Sequence, residues 1–174
     1  MTTSELVGRV LAGDRLALAA LATHLLPRVR NLVRYLIRGD HDLDDISQEA
    51  LLAVLRGLGT YRGQGTVESW ADRVVARATF AWLKRRRVQE QRTVADWQAA
   101  RIATEEGLDE YLSRRRFVLL LDQLPLDQRH ALVLHHVVGL SVEEIAAETG
   151  ALRETVRTRL RLGRSKLREL GGGL

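Results

Sequence analysis

SVEEIAAETGALRETVRTRLRLGRSKLREL, residues 141–170, has spacing that dictates its own local architecture. Ser141 is followed three residues later by Glu144, a pair in which each side chain takes up a backbone N–H left unpaired at a helix start. A helix is therefore predicted from Val142, continued by Ile145, Ala146 and Thr149. Gly150 follows, and glycine readily takes the left-handed conformation that ends a helix. From about Glu154, Val156, Leu160, Leu167 and Leu170 recur at intervals of three, four or seven and line one side of a second helix. Its other side is cationic, because the stretch from Arg153 to Arg168 holds seven bases and one acid, Glu154. Two helices joined by a tight turn, the second presenting Arg and Thr, have the geometry that enters a DNA major groove. Arg153, Thr155, Arg157, Thr158, Arg161 and Arg164 are the candidates for reaching bases or phosphates. A basic amphipathic helix alone can be no more than a solvated face. The capping pair, the Gly150 turn and the arginine density together favour DNA binding.

The whole chain sets limits on what surrounds this motif. Its 174 residues suffice for one domain or two small ones, and 45% hydrophobic content supports a core. Aromatic residues make up only 5%, while Leu, Ala, Val and Arg abound, so an all-α fold is expected. MTTSELVGRV lacks the basic start and apolar run of a signal peptide, and no segment approaches the length of a membrane span. The absence of cysteine excludes disulfides and thiolate metal sites, which fits a cytoplasmic protein. No nucleophile–base set, metal cluster or nucleotide-binding loop is present, so neither an enzyme nor a cofactor is expected.

Charge divides the chain into blocks. Residues 1–87 hold 14 bases and 9 acids, residues 88–113 hold 2 and 6, and residues 114–174 hold 11 and 7. Two basic blocks flanking an acidic one suit a polyanion gripped at two places, since Lys and Arg gain affinity by releasing counterions from phosphates. The expected organisation is a helical domain over residues 1–88, an acidic linker over 89–113 and a second helical domain over 114–174.

The first half reads as successive amphipathic helices over Ser4–Leu11, Arg15–Leu26 and Arg28–Ile37, with Asp14 as an N-cap and Pro27 placed where a helix begins but does not continue. A further helix over His41–Leu58 carries Asp42, Asp44 and Asp45 at its start, where negative charge favours the helix dipole. Leu43, Ile46, Ala50, Ala53 and Val54 form its expected buried stripe. Asp45, Gln48, Glu49, Leu52 and Arg56 remain outside, a protein-docking face rather than a metal site or a catalytic pair. Next come a glycine-marked loop around Tyr61, Arg62, Gln64 and Thr66, and a helix from Val67 to the cationic run Lys84, Arg85, Arg86, Arg87. The Gly-x-Gly of this loop lacks the strand and third glycine of a phosphate-binding fingerprint. Trp70, Phe80 and Trp82 suit either core packing or the stacking of unpaired bases, and the residues by themselves leave both open. In the second half, helices are expected over Arg114–Leu124 and Gln128–Val138, the latter ended by Gly139. His135 and His136 diverge by about 100° on a helix and do not chelate one ion.

DLDDISQE (42–49), YRGQGTVESW (61–70) and LKRRR (83–87) together resemble region 2 of bacterial sigma factors, and LPLDQRHALVLHHVVGLSVEEIAAETG (124–150) followed by TVRTRL (155–160) resembles their region 4. The order of these motifs, the length and the missing intermediate domain point to the extracytoplasmic function (ECF) group. The resemblance implies a subunit that binds core RNA polymerase and directs promoter recognition and melting, restrained by an anti-sigma protein. It places Asp45, Gln48, Glu49, Leu52 and Arg56 on a coiled coil of the largest polymerase subunit. Tyr61, Arg62, Gln64 and Thr66 are implied to take a base flipped from the melted non-template strand of the minus-ten element. Trp70, Arg73 and Arg77 lie on the helix implied to hold that strand, and Lys84 to Arg87 would meet neighbouring duplex phosphates. The residues from Arg153 to Arg164 named above would read the minus-thirty-five element. Departures from the family pattern are Arg77 in place of a frequent Asn, Leu152 in place of a small polar cap, Glu154 in place of Gly, and Leu162–Gly163 in place of Arg–Ala. Gly163 carries a helix-propensity cost of about 1 kcal/mol relative to Ala. The competing readings are a stand-alone helix–turn–helix regulator and a sigma-like decoy for a partner protein; a simple regulator needs neither the docking helix nor the base-capturing loop, whereas an initiation factor needs both.

Overall fold

A computed structural model of the chain describes residues 2–90 and 108–171. These residues form α1 (Thr3–Leu11), α2 (Arg15–Leu36), α3 (Leu43–Gly57), a short 3-10 turn (Leu58–Thr60), α4 (Val67–Glu90), α5 (Leu108–Asp122), α6 (Leu126–His136), α7 (Val142–Thr149) and α8 (Arg153–Gly171), with no strand among them. The fold is all-α, as composition implied. The chain divides into two units, residues 1–33 with 40–98 and residues 34–39 with 99–174. No helix among the described residues is long and apolar enough to cross a membrane.

In the first unit, local capping chemistry sets the helix starts. The Thr2 hydroxyl accepts from the Glu5 N–H at 3.2 Å while the Glu5 carboxylate accepts from the Thr2 N–H at 2.7 Å, a capping pair that the sequence reading passed over. Asp14 caps α2 as expected, accepting from the N–H groups of Leu16 and Ala17 at 2.9 and 3.1 Å. The expected break at Pro27 is absent, and Pro27 lies inside one continuous helix. Ala17, Leu21, Leu25, Val29, Leu32 and Leu36 form a buried stripe that runs straight past it. A proline inside a helix costs about 3 kcal/mol, whereas burying each large aliphatic side chain contributes about 1.5–3 kcal/mol, so packing on both sides of Pro27 carries the helix through.

α3 packs on α4. The buried side of α3 is Ile46, Ser47, Ala50 and Val54; Leu43 and Ala53, assigned to the stripe from sequence, are only half-buried. Asp42 stands at the N-cap of α3 but makes no side-chain cap bond. It pairs with Arg86, and Asp44 pairs with Arg30. The acids at this helix start thus serve ion pairs as well as the dipole. Asp72 of α4 is buried and held by a forked bond from Arg28, Nε to Oδ1 at 2.7 Å and Nη2 to Oδ2 at 2.6 Å. The Thr3 hydroxyl donates to Glu68 at 2.5 Å and holds its carboxyl below the usual carboxylate range.

In the second unit α5 begins at Leu108, six residues before the expected Arg114 and inside the stretch read as linker. Residues 91–107 of that linker, Trp97 included, lie outside the described residues. Tyr111 and Leu112, within the same stretch, are exposed. α6 starts two residues early, behind Pro125, and ends at His136, where Gly139 at φ +79° closes the turn and the Leu140 N–H returns to the Leu134 carbonyl at 2.9 Å. Arg129 to Leu134 are six consecutive buried residues, which makes α6 the centre of this unit, in contact with α7 and α8. The residues 34–39 grouped with it contribute Tyr35, whose ring meets Phe117 edge-on at 5.3 Å.

α8 lies against α6 through Gly163, which is buried. A Cβ at this position would stand 2.8 Å from Leu132 Cδ1, 3.2 Å from Leu132 Cγ and 3.4 Å from Gln128 Cβ. The glycine that costs helix propensity is therefore the residue that permits the close approach. Gly163→Ala regains about 1 kcal/mol of propensity but overpacks a buried leucine, a cost of about 1–3 kcal/mol. A net loss of stability up to about 2 kcal/mol is expected, and more for Gly163→Val; chemical denaturation measures it, and a more stable Ala variant would contradict the packing role.

Candidate nucleic-acid and partner interfaces

The helix–turn–helix is built as its sequence implies. Ser141 caps α7 with both reciprocal bonds, the Glu144 N–H to the Ser141 hydroxyl at 3.2 Å and the Ser141 N–H to the Glu144 carboxylate at 2.8 Å. Gly150 is left-handed at φ 68°, ψ 17°. Ile145, Val156 and Leu160 are buried beneath the motif. Arg153, Thr155, Arg157, Thr158, Arg161 and Arg164 are all exposed along α8, so one helix brings together every residue proposed for the minus-thirty-five element.

The cations of this face differ in how they are held. Arg157 pairs with Glu154 one turn back, and Arg153 lies 3.9 Å from Glu143. Arg159 is half-buried and bonded to Asp127 at 2.7 Å, a tie between α8 and α6. Arg164 Nε donates to His136 Nε2 at 3.4 Å. Burial, then the neighbouring His135 and Arg164, lower the His136 pKa, which favours the neutral ring that can accept this bond. The His135 ring stands edge-on to it at 4.8 Å and donates through Nδ1 to the Leu140 carbonyl at 2.9 Å, so the two histidines serve separate partners. Sequence reasoning noted Leu152 only as a departure from a pattern. It is 78% exposed at the N-cap of α8, its carbonyl accepting the Val156 N–H at 3.0 Å.

In the first unit, Asp45, Gln48, Glu49, Leu52 and Arg56 are all exposed. Their spacing puts them within an arc of about 100° on α3. Glu49 pairs with Arg85 of α4. In the adjoining loop, Gly63 and Gly65 have φ of +72° and +78°, which side chains adopt with strain. The Tyr61 hydroxyl donates to the Gly65 carbonyl at 2.8 Å and closes this turn. The Tyr61 ring lies 5.7 Å from that of Trp70 at 51°, and Trp70 packs against Gly57, where an added Cβ would meet the indole at 3.4 Å. Arg62 and Gln64 are exposed, while the Thr66 hydroxyl accepts from the Ser69 N–H at 3.1 Å and caps α4. Trp70 and Arg73 are half-buried and Arg77 is exposed. Lys84, Arg85 and Arg87 are exposed; Arg86 is half-buried, its guanidinium 5.3 Å above the Trp82 ring. Among the described residues no group of His, Asp or Glu could hold a metal ion.

A capped helix–turn–helix with a cationic outer face, preceded in the chain by a separate helical unit with its own basic helix end, defines the class of helical DNA-binding proteins. The Sigma-70 region 2 family matches residues 21–89, and the Sigma-70, region 4 family matches residues 114–167. The chain is 30% identical to the ECF RNA polymerase sigma factor SigM of Mycobacterium tuberculosis (strain ATCC 35801 / TMC 107 / Erdman), over 99% of its own length and 86% of that protein. It is also 30% identical to the ECF RNA polymerase sigma-E factor of Escherichia coli (strain K12), over 92% and 89%. Among solved structures it shares the fold of the sigma factor RpoE in complex with the anti-sigma factor NepR from Bartonella quintana, with TM-score 0.55, 22% identity and coverage of 85% of this chain and 92% of that one. It likewise shares the fold of CnrH in complex with the cytosolic domain of CnrY, with TM-score 0.53, 21% identity and coverage of 97% and 96%. The chain belongs to the extracytoplasmic function group of RNA polymerase sigma factors, which are regulatory rather than catalytic proteins.

Proposed function

We propose that this chain binds core RNA polymerase in the cytoplasm and directs it to promoters, docking through the exposed face of α3 and reading the minus-thirty-five element with α8. The observation that carries this reading is the pairing of an exposed docking face, Asp45 to Arg56, in one unit with an exposed Arg/Thr recognition face in the other. A regulator that acts alone has use for the second and none for the first. Lys84, Arg85, Arg86 and Arg87 meet duplex phosphates, and the Tyr61–Thr66 loop with Trp70, Arg73 and Arg77 holds the melted non-template strand of the minus-ten element. Extruding a base costs a few kcal/mol, which stacking in a pocket offsets. Tyr61 and Trp70 already lie beside one another at this loop, the start of such a pocket. Melting then comes from capture of an open state, with no bond chemistry asked of this chain. An anti-sigma protein is the natural restraint, as in the solved complex of RpoE with NepR.

Transcription in vitro by core polymerase on a genomic fragment library, with and without this chain, tests the reading: initiation at a defined set of fragments only in its presence is expected. Arg157→Ala and Arg161→Ala are each expected to weaken promoter binding and to reduce the slope of log affinity against log salt by roughly one unit. An unchanged slope in both variants places α8 away from the phosphates.

A further inference from the structure

Leu152 stands at the start of the recognition helix without a folding reason to be there. The side chain is 78% exposed and contributes nothing to the core. It cannot cap the helix either: α1, α2, α4 and α7 each begin with a hydroxyl or carboxylate that accepts a backbone N–H, from Thr2, Asp14, Thr66 and Ser141, while α8 joins α3 and α6 in having no side-chain cap bond. α8 forgoes that bond for an apolar group in water. The helix that it opens carries the exposed Arg153, Thr155 and Arg157 in its first turns, and their charge selects a polyanion. The N-terminal residues of a recognition helix are the ones that approach base edges. On the major-groove edges the apolar group is the C5-methyl of thymine.

We propose that Leu152 is a specificity-determining residue that packs on a thymine C5-methyl at one position of the upstream promoter element. The inference rests on the promoter reading above and adds to it a base preference made by apolar contact. Burying one methyl group corresponds to a factor of about four in affinity, which is the size of the effect to look for.

The test uses holoenzyme reconstituted from core RNA polymerase and the full chain, on a promoter duplex recovered by that holoenzyme from a fragment library. Thymines of the upstream element are replaced one at a time by deoxyuridine, which keeps every hydrogen-bonding group and removes only the methyl. At one position the wild-type complex is expected to lose about fourfold in affinity. Leu152→Ser, an exposed substitution that supplies a cap, is expected to bind thymine and uracil equally there, and Leu152→Met to retain the discrimination. If promoter binding persists but no position responds to uracil, or if Leu152→Ser keeps the wild-type penalty, this inference is overturned and the promoter reading stands. If the holoenzyme recovers no fragment, the promoter reading fails and takes the inference with it.

Discussion

Arg129→Ala is expected to destabilise the second unit by about 2–5 kcal/mol, the cost of removing donors from helix-end carbonyls and of emptying buried volume. The Arg129 side chain is 0% exposed. Its Nη1 donates to Asp122 at 2.5 Å, its Nε to the Tyr35 carbonyl at 2.6 Å and its Nη2 to the Arg34 carbonyl at 2.7 Å. Those two carbonyls belong to the last turn of α2, where a helix has no internal donors left, and His130 Nε2–H serves the Leu36 carbonyl in the same way at 2.8 Å. Alanine at position 129 removes a donor from each of the three acceptors of Arg129, leaves Asp122 with its bonds from Arg34 alone, and opens a void in α6. Hydrogen exchange of the α6 and α8 amides under increasing urea measures the loss within this unit, and exchange unchanged from wild type would show the buried guanidinium to be dispensable. A pH dependence goes with it. Burial raises the Asp122 pKa, but the Arg34 and Arg129 guanidiniums outweigh burial and hold the group below the usual carboxylate range. Its contribution is therefore full above its unfolded value of about 3.9 and is lost as pH falls through the lower folded value. In Arg129→Ala the acid-induced loss from this group should be shallower.

The second large effect is expected at the docking face. Gln48→Ala combined with Leu52→Asp should weaken association with core polymerase about 30- to 100-fold, roughly 2–3 kcal/mol, the loss typical of a central apolar anchor in an interface. Both residues are exposed on α3, and exposed substitutions usually change folding stability by no more than about 0.5 kcal/mol. Titration of core enzyme with labelled chain separates the two quantities when paired with a thermal melt. Wild-type affinity in the double variant would remove α3 from the polymerase, whereas a lowered melting temperature would show that Leu52 has a packing role.

Capping chemistry was legible wherever donor and acceptor lie within three residues of each other. Ser141 with Glu144, Asp14 before α2 and Gly150 after α7 were read from the chain alone and occur as read. The exposed faces of α3 and α8 were legible for a related reason, since a helical period assigns every residue a side. Long-range decisions were not. Pro27 reads locally as a helix boundary, and only the buried stripe from Ala17 to Leu36 carries α2 past it. Gly163 reads as a helix weakness until Leu132 is seen where its Cβ would be. Glu49 and Arg85 read as separate recognition residues, although α3 and α4 pair them.

By itself the sequence determined an all-helical chain, the ends of most of its helices and the outward faces of α3 and α8, because these follow from contacts no more than a few residues apart. Only the tertiary structure decided that Arg129 is buried, that Gly163 admits α6 to α8 and that Leu152 is left in water. Each of these depends on which distant side chain fills, or fails to fill, the space beside it, and no local period carries that information.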